Sequence, residues 1–226
     1  MADHGKAEIV DLSHVIEAGM TTYKGLPGPH ICDFWDREAS AANYDDESSF
    51  QIGRIDMVAN TGTYVDAPFH RFADGADLSE LRLESLASLD GLVVRRPFEA
   101  GLATDVEAFE GLDVRGKAVL VHTGWDRHWR TEAYQEGAPF LTAEAAEWLA
   151  AHGAALVGID SHNIDDTGPR ARPVHTILLR AGIPICEHMT GLDRLPDGGF
   201  RFSAVPPKVR GMGTFPVRAY AVLQGS

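Results

Sequence analysis

Two cysteines, Cys32 and Cys186, stand in 226 residues, too few and too far apart for a disulfide framework or a Cys-based zinc motif. Cys186 closes the apolar run Ile183-Pro184-Ile185-Cys186, so it is predicted to be a small buried hydrophobe. Long hydrophobic runs are also missing: no stretch approaches the ~20 apolar residues of a membrane helix. The opening residues Met1–Lys6 are polar and lack the apolar core of a signal peptide, which makes the cytoplasm the expected location. Basic residues are scarce, with 20 Lys and Arg against 33 Asp and Glu and a net charge of −13. Such a surface repels phosphate backbones and anionic lipid, so neither nucleic acid nor membrane is an expected partner, and the charge is expected to serve solubility.

What remains is ordinary globular composition, at a length long enough to bury a large core without disulfides or a structural metal. Ala7–Leu12 reads as a strand. The polar stretch 17–49 has no clear periodicity, as expected of a functional loop or flap, and Phe50 to Val58 turns strand-like again. Strand and helix patterns then alternate. Ser79–Leu89 is predicted helical and Gly91–Arg95 extended, and Thr104 with Glu107 has the spacing of a capping box. Lys117–His122 reads as a strand, and Thr142 caps a helix ending before Gly153. Ala154–Ile159, Ile183–Glu187, Phe200–Val205 and Val217–Leu223 are strands, with a short helix over Val174–Ala181 closed by Gly182. The expectation is a single α/β domain over residues 1–226, a mixed sheet flanked by helices.

The densest polar cluster is Asn60-Thr61-Gly62-Thr63-Tyr64-Val65-Asp66-Ala67-Pro68-Phe69-His70. In an extended chain its even positions share one face, so Asn60, Tyr64 and Asp66 project together. His70 lies too far along a straight strand, but Pro68 permits a bend that returns it. A second cluster pairs His175, on the short helix, with Glu187, eleven intervening residues later at the end of an apolar strand. A buried carboxylate there must be ion-paired, hydrogen-bonded or metal-bound. The remaining histidines at strand ends are His14, His122, His162 and His188; alternation turns His188 away from Glu187.

These segments resemble the cyclase family of metal-dependent hydrolases, which includes bacterial kynurenine formamidases and isatin hydrolases. The family is marked by His-x-Gly-Thr-His-x-Asp-x-Pro-x-His, and residues 60–70 follow that pattern at the same spacing. The resemblance extends through Asp11-Leu12-Ser13-His14, Thr123-Gly124-Trp125, Gly158-Ile159-Asp160-Ser161, His175 with Glu187, and Pro216-Val217-Arg218-Ala219. It implies a swivelling β/β/α type of α/β fold, a small-molecule substrate and a homodimer or homotetramer, with the 17–49 segment as the candidate loop reaching a partner or closing over substrate.

Carried over by position, Asp66, His175 and Glu187 stand as metal ligands and His70 as the proton shuttle. Asn60 and Tyr64 replace the motif's first two histidines. An amide oxygen is a weak zinc ligand, and a phenol must lose its proton to become a good one, so the first metal position is weakened. The expected cofactor is one divalent ion, zinc or manganese, held by Asp66, His175 and Glu187. The implied function is hydrolysis of the C–N bond of a small formamide or cyclic amide. Water activated by the ion is the nucleophile, His70 carries the proton, Tyr64 is a candidate oxyanion donor and Asn60 lines the site. Asn60 and Tyr64 leave two further readings open: a catalytically silent relative that binds a small molecule, and a metal-free lyase or dehydratase using His70 and Tyr64.

Overall fold

The computed structural model describes residues 7–223, so the polar segment 1–6 and its reading lie outside the described residues. In chain order the strands are β1 (Glu8–Asp11), β2 (His30–Trp35), β3 (Ile52–Asp56), β4 (Tyr64–Asp66), β5 (Leu89–Arg95), β6 (Ala103–Thr104), β7 (Lys117–His122), β8 (Phe140–Leu141), β9 (Leu156–Ile159), β10 (Ile185–Glu187), β11 (Gly198–Ser203), β12 (Thr214–Pro216) and β13 (Tyr220–Leu223). The helices are α1 (Arg37–Ala41), α2 (Ala143–Ala151) and α3 (Pro173–Arg180), accompanied by several single 3₁₀ turns.

Nine strands form one mixed sheet in the order β1-β13-β11-β5-β7-β9-β10-β4-β12. Its centre, β5-β7-β9-β10, is parallel, and the strands on either side run antiparallel. The central strands read as continuous apolar runs because both faces are covered. Val119, Val121, Val157, Ile159 and Ile185 pack with Leu149 of α2 and Leu178 of α3. Leu120, Leu156 and Cys186 face the other way, against Phe200, Phe202 and Val10. Thr142 caps α2 by accepting from Ala145 N at 3.2 Å, Pro173 opens α3, and Gly153 and Gly182 leave the two helices at φ +76° and +74°. Among the described residues no helix is long and apolar enough to cross a membrane.

The first and last parts of the family-like pattern meet at the sheet edge. Arg218 donates to Asp11 Oδ2 from Nε at 3.0 Å and from Nη2 at 2.7 Å, and Ser13 Oγ accepts from Ala219 N at 2.7 Å. At the centre, Thr123 N, Thr123 Oγ1 and Gly124 N all donate to the buried Asp160, which ties the β7 and β9 ends together.

Three expectations are corrected. Ser79–Leu89 is not a helix but a wound segment with one 3₁₀ turn at Leu83–Ser85. The two residues just before it are tied to the chain before β12, through Leu78 N to Met212 O at 3.0 Å and Gly211 N to Asp77 Oδ2 at 2.6 Å. Thr104 is not a helix cap. It is the end of β6, paired with β8, and Asp105 caps the following turn instead. The 17–49 stretch, read as a loop or flap, contains regular elements: β2, which pairs with β3 just beyond it in a separate antiparallel ribbon, and α1 between them. Most of that ribbon is exposed on both faces, with Ile31, Phe34, Ile52 and Ile55 in solvent, so no burial period marks it.

Candidate active site

Only Tyr64–Asp66 of the 60–70 cluster is a strand, sandwiched between β10 and β12. That short length is enough to send Tyr64 and Asp66 to one face. Register sets Tyr64 opposite Glu187, and Asp66 opposite Ile185 and Thr214. The chain then bends as the proline suggested: Pro68 opens a 3₁₀ turn over Pro68–His70 that returns His70 toward α3. The rings of His70 and His175 lie 5.9 Å apart. A cavity of about 210 Å³ is lined by Asn60, Tyr64, His70, His175 and Glu187, and also by Tyr23 and Asn163. All the positions singled out in the sequence border it except Asp66, which sits directly behind. A larger hollow of about 590 Å³ beside Met20, Lys24 and Arg130 has no comparable convergence of acids and histidines.

Each functional side chain is held by a second one. His175 Nδ1 lies 2.6 Å from Asp165 Oδ2. Asp165 also accepts from Val174 N and His175 N, so it pins both the ring and the start of α3. A carboxylate only accepts, so Nδ1 carries the proton and Nε2 is turned to the cavity. There Nε2 lies 3.6 Å from Asp66 Oδ2 and 3.7 Å from Glu187 Oε1. Asp66 Oδ2 is buried without any hydrogen-bond partner. Its other oxygen accepts from Thr214 Oγ1, whose oxygen in turn contacts His70 Nδ1 at 2.8 Å. Thr214 has one proton and gives it to the carboxylate, so the hydroxyl accepts Nδ1–H and a neutral His70 keeps a free lone pair on Nε2. Asp66, His70 and His175 each present a ligand atom within 4.8 Å of the others.

Glu187 is fully buried and accepts from Tyr64 Oη at 2.6 Å and from Ile164 N at 2.6 Å. Tyr64 Oη also lies 2.9 Å from Tyr23 Oη, which accepts from Asn163 Nδ2 at 3.0 Å. Burial, followed by the Glu187 charge, raises the pKa of both phenols well above the ordinary value, so they are donors rather than bases. Burial opposes charging of His175, but Glu187, Asp165 and Asp66 outweigh it and hold its pKa near 10. Burial pushes Glu187 up, opposed first by His175.

Tyr23, Asn163, Asp165 and Thr214 carry no signal in the sequence. Tyr23 lies in the aperiodic stretch, and Thr214 belongs to a three-residue edge strand too short to read. His188 departs from the alternation argument. It takes a left-handed φ of +54° at the strand end, and its ring packs 5.2 Å from those of Tyr23 and Tyr64. His14 stacks on Trp129 with ring centroids 4.0 Å apart, and His122 bonds Arg95 at 3.0 Å, so neither is a cavity residue.

A mixed sheet with acids and histidines gathered where β4, β10 and α3 meet is the arrangement expected from the motif resemblance. Residues 10–166 match the family model described as a putative cyclase, and the chain belongs to that family. It is 27% identical over 215 residues to a kynurenine formamidase of Bacillus cereus, covering 94% of this chain and 96% of the relative. It is 31% identical over 181 residues to a kynurenine formamidase of Geobacillus thermodenitrificans, covering 78% and 82%. Among solved structures, isatin hydrolase A from Labrenzia aggregata superposes with a TM-score of 0.81 at 21% identity, covering 97% of this chain and 94% of that one. The fold is shared at that level of identity.

Proposed function

We propose that this protein is a metal-dependent hydrolase that cleaves the C–N bond of a small formamide or cyclic amide. The observation that carries the reading is the meeting of Asp66 Oδ2, Glu187 Oε1 and His175 Nε2 in one buried site, where the carboxylates hold the His175 pKa near 10 and so draw positive charge between them. Acceptors gathered in a buried site need a proton or a cation between them. Their 3.6 and 3.7 Å separations exceed hydrogen-bond lengths. They are a few tenths of an ångström wider than the roughly 3.0–3.4 Å between ligands sharing one zinc ion at ~2.1 Å. The donor set, two carboxylates and one imidazole, suits zinc or manganese. The kynurenine formamidase relatives supply the amide chemistry.

Such an ion polarises a carbonyl and lowers the pKa of water. The chain's own residues do the rest. His70, 35% exposed at its side chain, stands between cavity and solvent with Nε2 free to take a proton and hand it to the leaving nitrogen. Thr214 keeps that ring in place, and Asp165 keeps His175 turned inward. Tyr64 gives its proton to Glu187, so donating to an oxyanion requires it to exchange that partner. The apolar exposed ribbon β2–β3 is consistent with a homodimer or homotetramer, and the free thiols Cys32 and Cys186 with the cytoplasm. The whole chain, 1–226, is read as one domain.

A second reading of the ligand set is favoured by the approach of Asp66, His70 and His175 to one another, which makes His70 a ligand instead of the proton carrier. Protein purified without chelator is expected to carry about one divalent ion per chain and to turn over N-formylkynurenine. Glu187→Gln should lose the ion, whereas His70→Ala should keep it and lose about 10²–10⁴ in turnover. Ion loss in His70→Ala with retention in Glu187→Gln establishes the Asp66–His70–His175 set. Metal-free protein without turnover leaves a silent binding protein; metal-free protein that eliminates water instead leaves the lyase reading.

A further inference from the structure

The cavity shares His70, Asn163 and His175 with a second, smaller hollow of about 100 Å³, whose other lining residues are Arg71 and Arg172. Two guanidinium groups at the mouth are unexpected on a chain of net charge −13. Among the described residues, neither Arg71 nor Arg172 has a carboxylate within 4 Å, unlike Arg82, Arg95, Arg127, Arg130, Arg201 and Arg218. Arg172 is built in: Nη1 donates to the carbonyls of Asp166 at 3.1 Å, Pro169 at 2.7 Å and Ala171 at 2.7 Å. Among the described residues its Nε and Nη2 make no hydrogen bond. Arg71 uses only Nε, on Thr176 Oγ1 at 3.1 Å, and leaves both terminal nitrogens open. The acids of the adjoining loop are otherwise engaged: Asp165 holds His175 and the start of α3, and Asp166 caps Gly168 N at 2.9 Å.

We propose that Arg71 and Arg172 form a carboxylate subsite, so that the substrate is a small anionic amide whose acid group docks at the mouth while its carbonyl reaches the His70–His175 end. The inference rests on the hydrolase reading for the amide and on the two arginines alone for the acid. A guanidinium offers parallel N–H donors that match the two oxygens of a carboxylate, and here they are pre-oriented by backbone and threonine contacts. On a chain of net charge −13, two guanidinium groups without a carboxylate partner favour an anion locally at the mouth. The volumes limit the ligand to about one ring with short substituents.

The test is calorimetric binding of 2-aminobenzoate and of aniline, which differ by the carboxylate and cannot be hydrolysed. The acid should bind at least ten-fold more tightly than the amine, and 0.5 M salt should narrow the gap. Arg71→Gln should reduce that ratio several-fold. This guanidinium is exposed and holds only Thr176, so the variant is expected to fold. Arg172→Lys, which keeps the charge but not the fork, should also reduce it. Arg71→Gln combined with Arg172→Gln should bring the ratio to within about two-fold of unity. Equal binding of the two probes by the unaltered protein, or a preference that survives the double replacement, overturns the subsite. Turnover of 2-formamidobenzoate and formanilide is measured alongside. A carboxylate preference in binding with neither formamide cleaved defeats the hydrolase reading and leaves the subsite standing; cleavage of both with no preference does the reverse.

Discussion

Asp165 and Tyr64 show how much of this site is held by residues that need not touch substrate. Asp165 takes both the ring proton of His175 and the amides of the first turn of α3, so one carboxylate sets the direction in which Nε2 faces. Asp165→Asn retains the shape but replaces an ionic acceptor by an amide. Its effect is expected to be a 10- to 100-fold weaker hold on the divalent ion, read by competition with a chromophoric chelator, with folding intact by circular dichroism. Unchanged ion affinity in the folded variant would show that His175 is not a ligand or that its orientation is set elsewhere. Tyr64 plays the corresponding part for Glu187, through a 2.6 Å bond from a phenol whose pKa burial and Glu187 both raise.

Among the elements, the 3₁₀ turn Pro68–His70 decides whether the proton carrier reaches the cavity. It is pressed from behind by Gly213, where an added Cβ would stand 2.4 Å from His70 N and 2.5 Å from His70 Cα. Those are backbone atoms and cannot swing aside, so the turn itself has to move. Gly213→Ala is expected to lower turnover at least ten-fold and stability by about 1–3 kcal/mol. Gly198→Ala, where the new Cβ meets nothing nearer than 3.8 Å, is the comparison and should be far milder. Steady-state kinetics and thermal unfolding of the two variants check this. Equal effects would mean that contact at the turn does not control the site.

For the whole molecule, the acid limb of stability is set partly by histidines with a buried, unbonded ring nitrogen. His162 Nδ1, His188 Nε2 and His14 Nε2 are enclosed and unbonded. Burial lowers the pKa of His162 to about 4 from the ordinary value of 6.5. Above pH 6.5 the ring is neutral in both folded and unfolded chains, and its stabilising contribution is complete. As pH falls from 6.5 toward 4 the unfolded chain takes up a proton that the folded one refuses, so up to about 3 kcal/mol is lost over that window. The melting temperature should therefore fall on going from pH 7 to 4.5, and His162→Gln should make that slope shallower. A slope that His162→Gln does not alter would place the acid sensitivity in other groups.

The apolar runs of β5, β7, β9 and β10 and the caps of α2 and α3 were legible in the chain itself, because local pattern and backbone chemistry determine them. So was the 60–70 motif, including the bend at Pro68, since spacing and proline geometry act over a few residues. His175 and Glu187 were legible as residues requiring partners, because a buried charge must be satisfied somewhere. The identity of those partners was decided only by tertiary structure. Asp165, Tyr23 and Thr214 lie far from the motif in sequence and reach it through the β4–β10–β12 register and the approach of the 19–26 loop. Of the exposed β2–β3 ribbon only β3 was legible, in the strand-like stretch Phe50–Val58; β2 left no trace, since periodicity records burial and that ribbon has little. The pairing of Arg71 with Arg172 likewise arises from the turn after β4 meeting the start of α3, a juxtaposition about a hundred residues apart that no local pattern encodes.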